Sequence, residues 1–480
     1  MFMRMIYDEK LAQAAYLFGC QRTGQAIVID PERDVDRYVD LARANNLRIC
    51  AVAETHIHAD FVSGARELAE QVGATVYVSG EGGPDWQSEW ARAYNHVILR
   101  DGDAFKIGNI QFRAVHTPGH TPEHMVYVVT DHGTVGAQSA AEPIGVCTGD
   151  FVFVGDLGRP DLLETAAGQA GAREPGARQL FESAKWLDGL PEFVQIWPGH
   201  GAGSACGKAL GAVPMSTVGY EKRYNAPLRS AIGPKADQSA FVEMILEGQP
   251  EPPLYFARMK RVNRDGPDVG GGLPQARRVM VSDVTGLDPQ QIAIIDTRPW
   301  TEFREGHLPG SMSFPLSTSF TTDVGSMVRE DEDIYLIAQE HEVAQAVRDL
   351  YRIGMDRVKG WLEPEDVVGE KHLASTAEVD VREARTLIEQ GRVRVLDVRR
   401  ASEFASGHIE GAKNIAHTRL ASRLEDLPNN GTLLVHCQGG IRSARASGYL
   451  QRLGFDVINM KGGYAAWQKD QATARSSADR

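Results

Sequence analysis

Thr55-His56-Ile57-His58-Ala59-Asp60-Phe61 is the stretch of this chain that says most about its fold. It places two imidazoles and one carboxylate at alternate positions, directly after the apolar run 47–52. We interpret that run as a buried strand and the polar residues as the loop at its end. Because imidazole nitrogen and carboxylate oxygen are ligands of divalent metals, the stretch predicts a metal-binding loop.

Three further polar clusters follow strand-like runs later in the chain. A single histidine is most often structural, whereas several clusters at successive strand ends favour one shared metal site. The clusters are His116-Thr117-Pro118-Gly119-His120-Thr121, Cys147-Thr148-Gly149-Asp150 and Trp197-Pro198-Gly199-His200.

In this order the motifs resemble those of the metallo-β-lactamase superfamily, whose metal loop reads T-H-x-H-x-D-H. The fuller match is to its persulfide dioxygenase branch, which is similar to glyoxalase II in fold, and the phrase 155–161, GDLGRPD, also resembles that branch. The resemblance implies an αββα sandwich with His56, His120 and Asp150 as metal ligands. His58 matches a primary ligand of the two-metal hydrolases, so it is expected to be a ligand or a group behind the ligands.

Phe61 stands where that pattern has its last histidine. A phenyl ring cannot bind a metal, so the second site of the superfamily, which Asp60 and His200 match, is expected to be empty. Those two residues would then orient the ligands through hydrogen bonds. Two histidines and one carboxylate leave coordination positions open, as in mononuclear non-haem iron(II) oxygenases, whereas zinc with a bound water would favour hydrolysis. Residue types alone leave both metals open. Phe61 and the rest of the chain favour one Fe(II) per chain.

The C-terminal half contains an internal repeat. Asp296-Thr297-Arg298, Glu302-Phe303 and Gly306-His307 recur at one constant offset as Asp397-Val398-Arg399, Glu403-Phe404 and Gly407-His408. Such self-similarity indicates duplicated domains, each the length of a small domain. The repeat resembles a tandem of rhodanese domains, which are α/β folds around a parallel sheet. We expect a structural salt-bridge frame from Asp397, Arg399, Glu403 and His408.

The second copy carries a candidate sulfur loop, Cys437-Gln438-Gly439-Gly440-Ile441-Arg442-Ser443, between a strand and a helix. Backbone N–H groups and the helix N-terminus stabilise a thiolate or persulfide anion in that position. Arg442 can bind an oxyanion such as sulfite or thiosulfate. The loop resembles that of rhodanese, with Cys437 as the nucleophile that carries sulfur. Four residues between cysteine and arginine favour sulfur transfer over phosphatase chemistry.

The first copy lacks this loop. Aligning 334–337 with 433–436 puts Ala338 at the cysteine position, and Gln339-Glu340-His341-Glu342 follows without glycine or arginine. Alanine cannot attack, and acidic residues repel oxyanions. We therefore predict a non-catalytic copy that spaces or docks the working domains.

Cys206 lies six residues past His200 in a glycine-rich stretch. It is either a small residue filling a tight loop or a thiol near the metal that accepts a sulfane sulfur. Cys147 is expected to be buried in a strand. Arg159 is expected to pair with Asp156 or Asp161 rather than bind substrate.

Composition sets the remaining bounds. The 480 residues suggest about three domains, and a net charge of −13 makes nucleic acid or an anionic membrane an unexpected partner. Five scattered cysteines do not form a disulfide framework. Without a 20-residue apolar span or a signal-peptide core, we expect a cytoplasmic protein. The resemblance favours a homo-oligomer, a dimer or tetramer.

The predicted architecture is α/β and multidomain. A metallo-β-lactamase αββα sandwich over 1–250 and a linker over 251–274 precede two rhodanese-like α/β domains, an inactive one over 275–370 and a catalytic one over 371–480. The predicted function is oxidation of low-molecular-weight persulfides, of glutathione or coenzyme A, by O2 to sulfite, coupled to sulfur transfer between persulfide, sulfite and thiosulfate. Two alternatives stay open: a zinc glyoxalase-II-like thioester hydrolase with a rhodanese tail, and a non-catalytic persulfide carrier or sensor.

Overall fold

A computed structural model describes residues 1–133, 142–234, 236–428 and 430–478 of the chain. Its internal contacts divide it into two units. The first comprises Met1–Leu273 together with Tyr351–Gly354, and the second comprises Pro274–Leu350 and Met355–Arg480. None of the helices in the described ranges is both long and apolar enough to cross a lipid bilayer.

Two six-stranded sheets form the centre of the first unit, with strand orders β1-β2-β3-β4-β5-β6 and β12-β11-β10-β9-β8-β7. The strands are β1 (Phe2–Asp8), β2 (Gln13–Cys20), β3 (Gln25–Ile29), β4 (Arg48–Ala53), β5 (Thr75–Ser79), β6 (His96–Leu99), β7 (Ala104–Ile107), β8 (Ile110–His116), β9 (Met125–Asp131), β10 (Gly145–Gly149), β11 (Gln195–Pro198) and β12 (Ser216–Thr217).

Helices cover the outer faces of both sheets. Successive residues of β2 point to opposite sides: Tyr16 and Phe18 pack against residues of the second sheet, whereas Ala15 and Leu17 pack against α1 and α2. A third apolar cluster joins the second sheet to α4–α7, so the layers are αββα as predicted. The helices are α1 (Asp36–Ala44), α2 (Ala65–Val72), α3 (Leu162–Thr165), α4 (Arg173–Asp188), α5 (Val218–Tyr224), α6 (Ala226–Ile232), α7 (Gln238–Leu246) and α8 (Phe256–Asp265), with 3-10 turns at Pro84–Trp86 and Glu89–Ala93.

The structure differs from the sequence-based expectation over 251–274, where a linker is predicted and a helix is present. Helix α8 lies within that range, and the range belongs to the first unit up to Leu273. Phe256 and Met259 are buried, and Trp90 Nε1 donates to the Asn263 carbonyl at 3.1 Å. The prolines stand just before the helix and Gly266, at φ 101°, ends it. Proline and glycine here mark the ends of a helix, where both are well tolerated, rather than the absence of one.

The second unit contains two five-stranded parallel sheets of identical strand order, β13-β17-β16-β14-β15 and β18-β22-β21-β19-β20. We call β13–β17 with α9–α13 the first copy and β18–β22 with α14–α17 the second copy. The strands are β13 (Arg277–Arg278), β14 (Ile292–Asp296), β15 (Ser311–Ser313), β16 (Asp333–Ile337), β17 (Val358–Leu362), β18 (Ala377–Val379), β19 (Val393–Asp397), β20 (Lys413–Asn414), β21 (Thr432–His436) and β22 (Val457–Met460).

The helices of the two copies correspond in order. They are α9 (Val281–Thr285), α10 (Trp300–Glu305), α11 (Phe320–Met327), α12 (Glu340–Arg352) and α13 (Pro364–Val368) in the first copy. In the second copy they are α14 (Val381–Glu389), α15 (Ala401–Ala405), α16 (Ile441–Arg452) and α17 (Gly463–Ala478), with 3-10 turns at His417–Ser422 and Leu424–Asp426.

Helix α16 of the second copy packs on the first copy. Gly448 approaches β15 so closely that a Cβ there would lie 3.0 Å from the Ser313 nitrogen. Arg452 at the end of the helix donates to the Ile292 carbonyl at 2.8 Å and to the buried Glu332 carboxylate. Nearer its start, Arg445 Nε lies 3.3 Å from a carboxylate oxygen of Asp323 in α11. The helix is therefore part of the core of both copies.

Candidate metal centre and sulfur loop

The three predicted metal ligands meet between the two sheets of the first unit. His56 follows β4, His120 lies between β8 and β9, and Asp150 follows β10. Their ligand atoms all lie within 4.8 Å of one another. Asp150 Oδ2 is 3.4 Å from His120 Nε2 and 4.0 Å from His56 Nε2. All three side chains are buried, so the strand ends bring together a compact two-histidine, one-carboxylate set.

The chemistry of this set fits a metal ion. Burial holds the pKa of His56 well below its usual value and lowers that of His120 to about 3, so both rings keep a free lone pair. Burial also raises the pKa of Asp150 to about 6. Within the described ranges, neither carboxylate oxygen of Asp150 has a hydrogen-bond partner. Since buried carboxylates are normally paired or bound to metal, a divalent cation would supply the missing partner.

Asp30 at the end of β3 fixes the metal loop. Its carboxylate accepts hydrogen bonds from the Thr55 nitrogen at 2.7 Å and from the Thr55 hydroxyl at 2.9 Å, and it lies 3.1 Å from His58 Nε2. Burial lowers the pKa of His58, but Asp30 outweighs this and raises it to about 9. His58 is thus bound from behind by a carboxylate. Sequence reasoning missed Asp30, although it follows a strand that pairs in parallel with β4.

Asn263 in α8 holds the same loop from the other side. Its Nδ2 donates to the carbonyls of His58, at 2.8 Å, and Phe61, at 2.7 Å, while its Oδ1 accepts from the Ser63 nitrogen at 2.9 Å. Phe61 itself is fully buried, with its ring 4.4 Å from that of His58. Reading 251–274 as a linker concealed this contribution.

A second buried cluster lies beside the first. Ligand atoms of Asp60, His200 and Cys206 all lie within 4.8 Å of one another. His200 Nε2 is 3.3 Å from Asp60 Oδ2 and 3.4 Å from Asp150 Oδ1, and its Nδ1 lies 3.1 Å from the Ala12 carbonyl. Burial, with Asp150 and Asp60 nearby, raises the pKa of Cys206 well above its usual value. The structure thus places Cys206 at the side of the centre from which Phe61 removes a ligand.

Arg159 supports the position of Cys206. Its fully buried guanidinium donates to both oxygens of Asp161, at 3.0 and 2.6 Å, and to the carbonyls of Ala205 and Pro250, both at 2.6 Å. The predicted pairing with Asp161 is therefore present. Cys147 is buried in β10, also as expected.

The sulfur loop of the second copy lies between β21 and α16. Cys437 is buried, and its Sγ accepts a hydrogen bond from the Gly440 nitrogen at 3.1 Å. Gly440 adopts φ 103°, a conformation that only glycine takes readily. The Cys437 carbonyl accepts from the Tyr464 nitrogen at 2.7 Å, and a Cβ on Gly463 would collide with that carbonyl oxygen. Backbone donors and two glycines therefore shape a cup for the sulfur.

Side chains around the cup are tied to one another. Arg442 donates to both oxygens of Glu403 at 2.6 and 2.8 Å, and the bond from Arg442 lowers the pKa of that carboxyl. Gln438 Oε1 accepts from Arg399 at 3.2 Å, and Ser443 donates to the Gly440 carbonyl at 3.1 Å. Glu403 thus belongs to the loop, through Arg442, rather than to the frame formed by Asp397 and Arg399. An oxyanion bound by Arg442 would share it with Glu403.

The two copies share their frame but not their loop. Arg298 Nη2 lies 2.6 Å from Asp296 and 2.9 Å from the Gly306 carbonyl, and Arg399 makes the same bonds to Asp397 and Gly407 at 2.6 and 2.8 Å. The histidine rings of the repeat correspond as well: His307 stacks on Phe303 at 3.9 Å, and His408 on Phe404 at 3.8 Å.

The register of the sheets identifies the residue that corresponds to Cys437. Asp296 pairs with Ile337 in one sheet and Asp397 with His436 in the other, so Ala338 stands at the position of Cys437. Helix α12 begins at Glu340, only two residues later, whereas α16 begins four residues after Cys437. At this position the first copy therefore has an alanine in place of the cysteine and an early helix start in place of the glycine loop.

Comparison with known proteins agrees with this division. The metallo-beta-lactamase superfamily model matches residues 9–200, and the rhodanese-like domain model matches residues 285–360 and 380–470. A metallo-beta-lactamase from Staphylococcus aureus subsp. aureus COL, of known crystal structure, is 38% identical, with a TM-score of 0.67 over 76% of this chain and 99% of that one. The predicted fold class is confirmed.

Two of the curated relatives are similar to part of this chain. A probable polyketide biosynthesis zinc-dependent hydrolase of Bacillus velezensis is 25% identical over 45% of this chain and 84% of its own length. The mitochondrial persulfide dioxygenase ETHE1 of Bos taurus is 27% identical over 41% of this chain and 67% of its own length. Both similarities cover less than half of this chain.

Proposed function

Because the chain belongs to the metallo-β-lactamase superfamily and carries two rhodanese-like domains, we propose that it oxidises low-molecular-weight persulfides with O2 and passes sulfane sulfur through Cys437. The balanced oxidation is RSSH + O2 + H2O → RSH + SO3²⁻ + 2 H⁺. In the sulfur transfer, Cys–S–S⁻ + SO3²⁻ gives Cys–S⁻ + S2O3²⁻: the S–S bond of the enzyme breaks and a new one forms to sulfite. The same residues serve the reverse direction.

One observation carries the proposal. A buried set of two histidines and one carboxylate lies beside a phenyl ring that stands at the usual position of another ligand. Such a set leaves coordination positions free, which a mononuclear Fe(II) oxygenase requires. The similarity to a mammalian persulfide dioxygenase supports the same assignment.

The protein residues have distinct tasks at this centre. His56, His120 and Asp150 would hold one Fe(II), which when bound supplies a redox-active centre with room for dioxygen and sulfur. Asp30 and Asn263 fix the loop that carries His56, so the ligand is oriented in advance. The burial of the ligand set keeps bulk water away from a reactive sulfur species.

In the second copy the N–H of Gly440 would stabilise the persulfide anion on Cys437, and Arg442 would hold the sulfite or thiosulfate oxygens. Covalent fusion of the two activities raises the local concentration of the sulfite that they share.

Oxygen uptake with glutathione persulfide, measured together with metal content after anaerobic purification, tests the dioxygenase. We expect about one iron per chain, and consumption of one O2 per sulfite formed. His120→Ala should abolish both iron binding and oxygen uptake, whereas Cys437→Ser should leave oxygen uptake intact. Normal oxygen uptake by His120→Ala would refute the assignment. Sulfur transfer by the same variant should continue, because Cys437 is unchanged.

A zinc-dependent thioester hydrolase is the second candidate, and one observation favours it. Asp60, His200 and Cys206 form a further buried set whose ligand atoms lie within 4.8 Å, which is sufficient for a second metal. Two zinc ions per chain, with turnover of S-lactoylglutathione and no oxygen uptake, would establish this alternative. One iron per chain, with oxygen uptake that survives Cys206→Ala, would exclude it.

A further inference from the structure

The carboxylate of Glu403, beside the sulfur loop, is held from two sides. Its Oε2 accepts a hydrogen bond from the Arg400 backbone nitrogen at 3.2 Å. The same oxygen accepts from Nη1 of Arg442 at 2.6 Å, and Oε1 accepts from Nη2 at 2.8 Å. Because the backbone fixes the carboxylate, the carboxylate in turn fixes the guanidinium that it binds.

This pairing uses only one edge of the Arg442 guanidinium. None of the residues that the structure describes accepts a hydrogen bond from its Nε, and arginine has five N–H donors, so a second edge is left for a ligand. The hydrogen bond to Glu403 raises the pKa of Arg442, and the nearby charge of Cys437 raises it further. The unused edge therefore belongs to a cation close to the reactive sulfur.

The first copy has the same glutamate but lacks both of its partners. Glu302 takes the place of Glu403 in the repeat, and Pro299 takes that of Arg400. Proline has no N–H to donate, and the stretch 339–343 contains no arginine. The backbone itself is alike, with φ −54° and ψ 146° at Pro299 and φ −60° and ψ 151° at Arg400. The two contacts therefore accompany the sulfur loop rather than the fold.

Glu403 has two opposite effects on an anion that approaches Arg442. Its charge repels the anion, whereas its hydrogen bonds hold the guanidinium in one orientation. The Glu403 and Arg442 side chains are 30% and 25% exposed, so water screens the repulsion. A free arginine would lose side-chain entropy on binding, and the pairing has already removed that freedom. We expect orientation to outweigh repulsion.

We propose that Glu403 is a positioning residue for sulfur transfer, which presents the Nε edge of Arg442 to sulfur oxyanions of the thiosulfate and sulfite class. The inference rests on the proposed transfer through Cys437 and names what sets its preference for oxyanions. The Cys437 thiolate attacks the sulfane sulfur of thiosulfate, a new S–S bond forms, and sulfite leaves with the electron pair of the broken one. A persulfide donor has no such oxygens and should depend on Glu403 far less.

Sulfur transfer from thiosulfate to cyanide by the full chain tests the proposal. Glu403→Gln should raise KM for thiosulfate about five- to tenfold with little change in kcat. Glu403→Asp keeps the charge but shortens the reach, and should raise KM at least as much. With glutathione persulfide as the donor, in the absence of oxygen, kcat/KM should change less than about twofold. Glu302→Gln is the matched control and should behave as wild type.

The backbone contact allows an independent test. The φ of Arg400 already suits proline, so Arg400→Pro removes the N–H without straining the chain. Arg400→Ala removes the same side chain but keeps the N–H. We expect KM for thiosulfate to be about two- to threefold higher in Arg400→Pro than in Arg400→Ala.

A double-mutant cycle separates positioning from a merely structural role. In an Arg442→Ala background, Glu403→Gln should not change kcat/KM for thiosulfate further, because no guanidinium is left to orient. Thermal melting shows whether each variant is folded. A lower or unchanged KM in Glu403→Gln, or an additive loss in the cycle, would overturn the role of Glu403 and leave transfer through Cys437 in place. Transfer at the wild-type rate in Cys437→Ser would overturn the proposed transfer itself.

Discussion

The two copies of the second unit share a fold and differ in chemistry. Their sheets have the same strand order, and each keeps an aspartate–arginine pair bonded to a glycine carbonyl. In the second copy the helix begins four residues after Cys437, whereas in the first copy it begins two residues after Ala338. The frame that stabilises the domain is thus present in both copies, with or without the loop that would perform sulfur transfer.

The largest effect is expected from Cys437→Ser. Because a serine hydroxyl cannot carry sulfane sulfur, thiocyanate formation from thiosulfate and cyanide should fall at least about a thousandfold. Oxygen uptake by the same protein serves as the control and should not change. Residual transfer at the wild-type rate would mean that the first copy, or another thiol, performs the reaction.

The second largest effect is expected from Gly463→Ala, a loss of about ten- to a hundredfold in the rate of sulfur transfer. The added methyl group would collide with the Cys437 carbonyl oxygen and displace the cup, and small misplacements of reacting groups are costly. Gly391→Ala is the matched control, since Gly391 also has a positive φ, of 65°, but no atom within 4 Å of a Cβ. Equal activity losses in the two variants would show that backbone strain, rather than the collision, is responsible.

A smaller and pH-dependent effect is expected from Glu403→Gln. The hydrogen bond from Arg442 lowers the pKa of Glu403 below its ordinary 4.5 in the folded state. The ion pair therefore stabilises the fold at pH values above about 4.5, and this contribution is lost as the pH falls through the lowered pKa. For a half-exposed pair we expect about 0.5 kcal/mol near neutral pH.

Thermal melting of wild type and Glu403→Gln between pH 3 and pH 7 measures this difference, which should shrink on acidification. Glu302→Gln in the first copy is the control, because the stretch 339–343 that follows Ala338 contains no arginine. A difference that grows toward acidic pH would contradict the sign of the pKa shift.

The smallest effect is expected from adding Ala338→Cys to the Cys437→Ser protein. A thiol at that position would have a helix beginning two residues later in place of a glycine loop, so no cup would stabilise its persulfide. Thiocyanate formation should stay at the background of Cys437→Ser. Recovered turnover would show that the nucleophile alone distinguishes the copies.

Much of this arrangement could be predicted from the sequence. The predicted buried strand over 47–52 agrees with β4, because a short apolar run that ends in polar residues marks a buried strand. The motifs also identified His56, His120, Asp150 and Cys437, since each follows a strand whose end is fixed by the fold.

The rest depends on tertiary approach, which local patterns do not encode. Asn263 contributes through α8, a segment whose flanking prolines and glycines suggested a linker. Cys206 lies close to Asp60 because Arg159 holds the loop that carries it. The sequence spacing between Cys206 and Asp60 does not reveal this proximity. Phe61 predicts a missing ligand, but it could not indicate that Cys206 lies beside Asp60 and His200.

Helix α16 has a consequence for how such a chain can evolve. It begins at the sulfur loop of the second copy. Its Gly448 contacts β15 of the first copy, Arg445 contacts Asp323 of α11, and Arg452 contacts Glu332. Once duplication had produced this shared helix, mutations could remove the nucleophile from the first copy without penalty. Deletion of the first copy, by contrast, would expose half of α16, the helix that shapes the site of Cys437 in the second copy. A degenerate duplicate can thus persist under selection as a folding template, and truncation to residues 371–480 should yield an aggregation-prone fragment rather than a smaller enzyme.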